Sequence, residues 1–387
     1  MEIISSAAHP KSTLFGLWQP RINLNSLYYG PGCVQQHILD AIPTISSKVF
    51  IVTGSSLATK TPLVRQLEAV LGIHHAGTIS NIRQHGPLED VEQAIDLVLS
   101  RADVDTIVSL GGGSPIDTAK VMSFKAKEKR GKPLTHIAIP TTLSAAECTA
   151  GGGYTTPDGV KVGFREPDMG VSIIFYDPQY ARYTPKSLWL STGMRAMDHA
   201  VECMYHPTAA EVPWKALSLW AASELFECLP KARDTHPHDE FVIGRLMLAA
   251  YASSGLKGAN VKGGMGLSHS LGHALGSPYG IPHGITSCMT LGKAVKLKAE
   301  ESRDHAQQIA RLLPAAGGRR SGDNMRDAME VGERIVALVK SLEVGPLNLL
   351  SWNVSKEETT VIVERALGGV KEGEMFDNAR GLVESLF

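Results

Sequence analysis

The stretch "VDTIVSLGGGSPIDTAK" (104–120) constrains this chain more than any other. A run of apolar and β-branched residues breaks into three glycines and then into helical spacing. Consecutive glycines permit positive φ and a close approach of backbone to a ligand. Pro115 falls in the first helical turn, where its missing N–H leaves no bond unmade. The start of that helix offers unpaired N–H groups and the positive end of its dipole, which suits a phosphate. Gly111, Gly112 and Gly113 are therefore candidate phosphate-binding positions, with Ser114 as an added hydroxyl donor. The pattern is not GxGxxG, and the acidic residue that this fingerprint requires is missing. By itself such a turn is equally a tight strand–helix connection.

The same rhythm surrounds it. "KVFIVTG" (48–54), "LTHIAIPTT" (134–142) and "VSIIFYD" (171–177) read as strands, while "TPLVRQLEAVLG" (61–72) and "EDVEQAIDLVLSR" (89–101) carry helical spacing. Such alternation predicts a parallel sheet covered on both faces. Ligands gather outside the carboxyl ends of such strands. Thr141 and Thr142 are thus candidates for ribose or phosphate contact, or alternatively helix caps. After about residue 185 strand signals largely disappear and amphipathic helices such as "PWKALSLWAASELFECLPKA" and "NMRDAMEVGERIVALVKSLE" take over. The expected fold is α/β plus all-α: a Rossmann-like nucleotide-binding domain over residues 1–185 and a helical domain over 186–387, changing at "YTPKS". The first 16 residues are read as loosely held.

A chain of 387 residues is long enough for two cores. With 38 basic against 39 acidic residues, nothing favours nucleic acid or an anionic membrane as a partner. The amino terminus lacks a secretory pattern, and no segment approaches the roughly 20 apolar residues of a membrane span. Five scattered cysteines with no CxxC pair suit a reduced, cytoplasmic protein.

Histidines supply the next signal. "GMGLSHSLGHALGSPYGIPHG" (264–284) holds His269, His273 and His283, and "GMRAMDHAVE" (193–202) adds His199. His269 and His273 share a helical face, and imidazole suits several divalent metals. Each alone also reads as a packed histidine satisfied by backbone. Four of the 14 histidines within two glycine-punctuated stretches favour a site.

Together with "YYGPGCV" near residue 28 and "LGKAVK" near 296, these motifs resemble the iron-containing (group III) alcohol dehydrogenase superfamily, which shares its fold with dehydroquinate synthases and glycerol dehydrogenases. Within it the pattern is similar to the maleylacetate reductases. "PTTLSAAECT" has their PTT-x-x-x-x-E-x-T spacing, and "TGMRAMDHAVE" is similar to their SGMNAxAHAVE. The resemblance implies a homodimer with NADPH or NADH as cofactor, a small-molecule substrate, and an active cleft between the domains. By position, Gly111, Gly112, Gly113 and Ser114 would face the pyrophosphate, with Asp117, Thr141, Thr142 and Lys161 near the rest of the cofactor. His199, His269 and His283 match three metal ligands, and His273 matches a histidine beside the nicotinamide. In NAD-preferring relatives an aspartate contacts the adenosine ribose where Gly54 stands here. NADPH is therefore expected to be accepted, with Ser55, Ser56 or Lys60 as donors to its 2′-phosphate. Alternatively, "TGSS" is simply a turn and cap.

The fourth ligand of the iron enzymes is an aspartate, and Arg195 holds its position. A guanidinium has donors, no acceptor and a pKa above about 12, so it cannot ligate a cation. Asp198 points about 100° away from His199, whereas positions 195 and 199 differ by about 40°. Asp198 is instead placed to pair with Arg195 at i,i+3. No metal is expected. Arg195 would put the same sign of charge in the metal's place and grip a carboxylate or developing enolate. Alternatively it only pairs with Asp198 or Glu202. Ala196, Ala200 and Val201 are expected to supply the local packing, so losing the guanidinium should leave the fold intact.

The expected function is a metal-independent NAD(P)H-dependent reductase acting on a carbonyl or activated C=C of a small, oxygenated, anionic molecule. Arg195 would hold the acceptor, and His199, His269, His273 or His283 would supply the proton. Maleylacetate reductases usually carry asparagine at 195, which points towards a specialised substrate, for instance in secondary metabolism. A lyase, isomerase or cyclase on the same scaffold, or a noncatalytic relative, are the alternatives.

Overall fold

In the first half of the chain, apolar runs too short for helices pair side by side and are buried on both faces. The computed structural model describes residues 17–19, 23–84, 86–157, 161–166 and 169–387, with Lys161, Phe164 and Arg165 described by backbone alone. The reading of residues 1–16 lies outside the described residues. Strands β1 (Ser26–Tyr29), β2 (Lys48–Thr53), β3 (His75–Ile79), β4 (Val104–Gly111) and β5 (Thr135–Pro140) are followed by β6 (Gly151–Thr155), β7 (Lys161–Arg165) and β8 (Ile173–Tyr176). Six of them form one sheet in the order β1-β8-β5-β4-β2-β3, with every pair parallel. β6 and β7 make a separate antiparallel pair.

The two-residue period of a strand explains the double core. In β2, Val49 and Ile51 join one apolar cluster while Phe50 and Val52 join another; β4 divides likewise between Val108 with Leu110 and Ile107. Helix α1 (Leu63–Leu71) covers the first cluster through Leu63, Leu67 and Leu71. Helices α2 (Leu88–Leu99) and α3 (Gly113–Arg130) cover the second through Ala94, Val98, Ala119 and Met122. The strands expected near 48, 104, 134 and 171 are β2, β4, β5 and β8. Four strands were not expected: β1, β3, β6 and β7. β1 and β3 are mostly half-buried and β6 is glycine-rich, so pairing rather than an apolar run makes them strands.

β5 carries a buried histidine with a measurable consequence. His136 lies 2.8 Å from Ser109 Oγ through Nε2, and burial, with Lys120 adding, holds its pKa down to about 3. In the unfolded chain this imidazole takes a proton below about pH 6.5. Stability from this residue is therefore complete above pH 6.5 and is lost as pH falls from there towards 3, at up to about 1.4 kcal/mol per pH unit. Urea unfolding of His136→Gln between pH 7 and pH 5 should show a slope smaller by about one proton. An unchanged slope would remove His136 as the source.

By internal contacts the described residues from 23 to 184 group with Pro237–Met247. A second unit joins residues 17–19 with Pro185–His236 and Leu248–Phe387. The latter contains α4 (Lys186–Tyr205), α5 (Ala216–Thr235), α6 (Leu267–Tyr279), α7 (His283–Glu301) and α8 (Asn324–Leu342). α7 packs on α4, α6 and α8, and α4 also packs on α5. Every residue of α4 from Trp189 to Tyr205 is buried. A helix buried all round is ordinarily apolar; α4 instead takes Arg195, Asp198, His199 and Glu202 inside. Among the described residues no helix is long and apolar enough to cross a membrane.

Candidate functional site

In the sheet unit, β2 leads outward to β3 while β4 leads the other way to β5, so the chain reverses direction between two neighbouring strands. Ligands of open α/β sheets bind at such a reversal, beyond the carboxyl ends. Register pairs Thr53 with Leu110 and Gly111 with Pro140. The ends of β2, β4 and β5 therefore bring together Gly54 with Ser55, Gly111 to Ser114, and Thr141 with Thr142. Thr141 N–H donates to the Gly111 carbonyl at 2.9 Å. A Cβ on Gly112 would stand 3.0 Å from Thr142 Cγ2, and Gly111 takes φ +143°. Glycine is what lets this turn pass so close to the threonines. No side chain caps the start of α3, so its first N–H groups and its dipole suit a pyrophosphate.

Asp117 is engaged within the protein. The fully buried Lys120 donates to Asp117 Oδ1 (3.1 Å), Thr149 Oγ1 (2.9 Å) and the carbonyls of Ala146 and Gly151 (2.7 Å each). This ammonium ties the segment after the threonine pair to α3. The Lys161 side chain lies outside the described residues.

In the helical unit, Arg195 is the hub. Its Nη1 donates to Asp198 Oδ2 at 3.3 Å and to Ser287 Oγ at 3.4 Å, and its Nη2 donates to His269 Nε2 at 2.9 Å. Asp198 Oδ2 also accepts from Ser287 Oγ (2.6 Å) and Ser268 Oγ (3.1 Å). One turn on, Glu202 Oε1 accepts from Ser268 N–H (2.8 Å) and Tyr205 Oη (3.2 Å). Gly272 makes the room: a Cβ there would meet Arg195 Nη1 at 3.2 Å and Thr286 Oγ1 at 3.1 Å. The four imidazoles form a row, with centroids 5.3 Å apart for His199–His269, 5.0 Å for His269–His273 and 5.4 Å for His273–His283.

Charge states follow from burial. Burial raises both Asp198 and Glu202, Glu202 well above the ordinary carboxyl range with Asp198 adding to the rise. Burial draws Arg195 down while Asp198 and Glu202 oppose it. Burial and the Arg195 charge together push His199 and His269 well below the usual imidazole range, so both are neutral near pH 7. A guanidinium only donates; His269 must accept at Nε2 and carry its proton on Nδ1. His273 is exposed. The three contacts of Arg195 leave Nε–H and one Nη2–H with no bond among the described residues.

This donor set does not suit a divalent ion. The lone pair of His269 Nε2 is directed at the Arg195 cation. Among the described residues no group of three or more His, Cys, Asp or Glu side chains is arranged to hold a metal.

Spacing alone had not pointed to Ser268, Ser287, Gly272 or Lys120. For Ser287 a signal exists: it lies four residues after His283, among hydroxyls that interrupt the apolar "GITSCMTLG".

Comparison with known proteins supplies the lineage. The model of the iron-containing alcohol dehydrogenases matches residues 25–178, and that of the Fe-containing alcohol dehydrogenase C-terminal region matches 189–383. The chain is 34% identical over 188 residues to Dehydrogenase ALT3 of Alternaria alternata, covering 43% of this chain and 48% of that protein. It is 30% identical over 252 residues to a Rhizobium maleylacetate reductase, covering 64% of this chain and 61% of that protein. The chain thus spans about half to three-fifths of the length of these relatives. A maleylacetate reductase structure from Agrobacterium tumefaciens superposes with TM-score 0.78 at 22% identity, covering 98% of this chain and 99% of that one. The chain belongs to the iron-containing alcohol dehydrogenase family.

Proposed function

We propose that this chain is an NAD(P)H-dependent reductase that works without a metal, on a carbonyl or activated C=C of a small, oxygenated, anionic molecule. One observation carries the reading. A buried guanidinium is held on Asp198 and directed at His269 Nε2, at the position that the resemblance matches to a metal ligand, and two of its N–H groups have no bond among the described residues. Similarity to proteins named maleylacetate reductase supports the substrate class. The arginine itself points away from maleylacetate towards a more specialised acceptor.

Gly111, Gly112, Gly113, Ser114, Thr141 and Thr142 would hold the dinucleotide, with Gly54 and Ser55 towards its ribose. When bound, it supplies the hydride. Arg195 grips the acceptor and stabilises the negative charge that develops on its oxygen. His199, held neutral, orients the acceptor by hydrogen bonding through Nε2, as neutral imidazoles do, while His269 Nε2 is held by the Arg195 donor. His273, exposed and next in the row, exchanges with water and delivers the proton.

Titrating the protein with NADPH by nicotinamide fluorescence, then following nicotinamide absorbance with a panel of small oxo-acids and enones, tests this reading. The expected result is saturable binding and an absorbance loss stoichiometric with product. Substrate conversion without absorbance change would indicate a lyase, isomerase or cyclase. Absence of binding would indicate a noncatalytic relative.

Cofactor choice gives a sharper expectation. With glycine at 54 no carboxylate repels a 2′-phosphate, so NADPH should bind at least as tightly as NADH. Gly54→Asp should weaken NADPH by about tenfold or more and leave NADH little changed. The added Cβ would lie 3.2 Å from the Ile82 carbonyl, a close approach that needs a small shift of the turn. Retained NADH affinity reports that the turn survived. NADH binding ten times tighter than NADPH in the unaltered protein would sink the preference.

A further inference from the structure

We propose that Asp198 is the positioning residue of this site: it holds the Arg195 guanidinium in the one orientation that faces His269. This rests on the reading of Arg195 as the group that meets the substrate. The geometry is specific. A single oxygen, Asp198 Oδ2, gathers donors from three helices: Arg195 on its own α4, Ser268 on α6 and Ser287 on α7. Ser287 in turn lies within reach of the same Arg195 Nη1. The carboxylate and the hydroxyl together fix the Nη1 end of the fork, which turns Nη2 onto His269 Nε2.

An ion pair serving only to neutralise charge needs no such direction. Here the outcome is directional: one end of the guanidinium is anchored, another sets the tautomer of His269, and two N–H groups stay open. A competitor for the guanidinium exists one turn beyond Asp198. Glu202 is buried on the same helix and attracts the Arg195 charge. If Asp198 loses its charge, Glu202 is the remaining carboxyl able to draw the fork off His269.

The test uses the full chain labelled with ¹⁵N-histidine and no added ligand, reading the His269 tautomer by NMR, with His269→Gln to assign the signal. In the unaltered protein His269 should be almost wholly the Nδ1–H form. In Asp198→Asn the Nε2–H form should appear as a substantial population, because the donor that fixes the tautomer is no longer held on Nε2. Asp198→Glu, which restores the charge, should recover the Nδ1–H form in part. If Asp198→Asn does not fold, Ser287→Ala removes the second anchor and should shift the tautomer in the same direction. An unchanged tautomer in Asp198→Asn, or in Ser287→Ala where that variant is needed, overturns the proposal. No dinucleotide or substrate enters this measurement, so its failure is distinct from failure of the reductase reading, which shows as constant nicotinamide absorbance in the unaltered protein.

Discussion

Arg195→Met is expected to lower kcat by about 10²–10³, the scale of losing one donor to a developing oxyanion. If the guanidinium instead grips a substrate carboxylate equally in ground and transition states, KM rises and kcat stays nearly constant. The structure revises a second expectation. Ala196, Ala200 and Val201 are buried on the same helix, but packing does not replace charge. Asp198 is fully buried and loses its cation in this variant. An unpaired buried charge costs about 3–5 kcal/mol, less whatever protonation relieves. The informative variant is therefore Arg195→Met with Asp198→Asn, in which urea unfolding should show much of that stability restored while kcat stays low. Arg195→Lys keeps the charge and loses the fork, and so separates the two contributions. Normal turnover at normal KM in the double variant would make Arg195 structural and end the mechanism proposed above.

Arg195→Asp is expected to do the reverse: give the chain a metal site. The substitution frees His269 Nε2 from its donor and puts a carboxylate beside that imidazole, four residues before His199 on the same helix; the resemblance matches His283 to a third ligand. It also leaves Asp198 and Glu202 without a cation, a deficit that a divalent ion would offset. Calorimetric titration with zinc alone should show about one ion per chain at about micromolar affinity or tighter, on the scale of sites with three or four protein ligands. The unaltered protein, titrated in the same way, should take up none and should keep its activity in chelator. Stoichiometric zinc or iron in the unaltered protein, with activity lost on chelation and regained with metal, would refute metal independence.

Much of this molecule is legible before any coordinates. β2, β4, β5 and β8 are visible because strands buried on both faces must be nearly continuous apolar runs, and α3 because glycines and a proline announce its first turn. β1 and β3 are short edge strands with mixed burial, and their sequences do not alternate strongly. In the helical unit, Arg195 and the four histidines stand out by residue type and spacing. What spacing does not encode is which hydroxyl from another helix completes a carboxylate. Ser268 and Ser287 lie 70 and 89 residues from Asp198 and reach it only through the crossing of α4, α6 and α7. Lys120 is hidden for a related reason: on a helix near the surface of a sheet a lysine reads as solvated, and only the fold surrounds it with acceptors.

On the metal-free reading proposed above, the pairing of Arg195 with Asp198 also limits the order in which such a site arises from a metal-binding one. An arginine arriving first at 195 is a buried cation with no carboxylate beside it at 198, and a guanidinium does not deprotonate in proteins to relieve that cost. A carboxyl arriving first at 198 can wait as a neutral acid, because burial itself favours the protonated form. The acid can therefore enter a working metalloenzyme at modest cost and create the berth that a later arginine fills. On this account the accessible evolutionary route runs through position 198 before position 195, and Gly272 must already be vacant of a side chain when the guanidinium arrives.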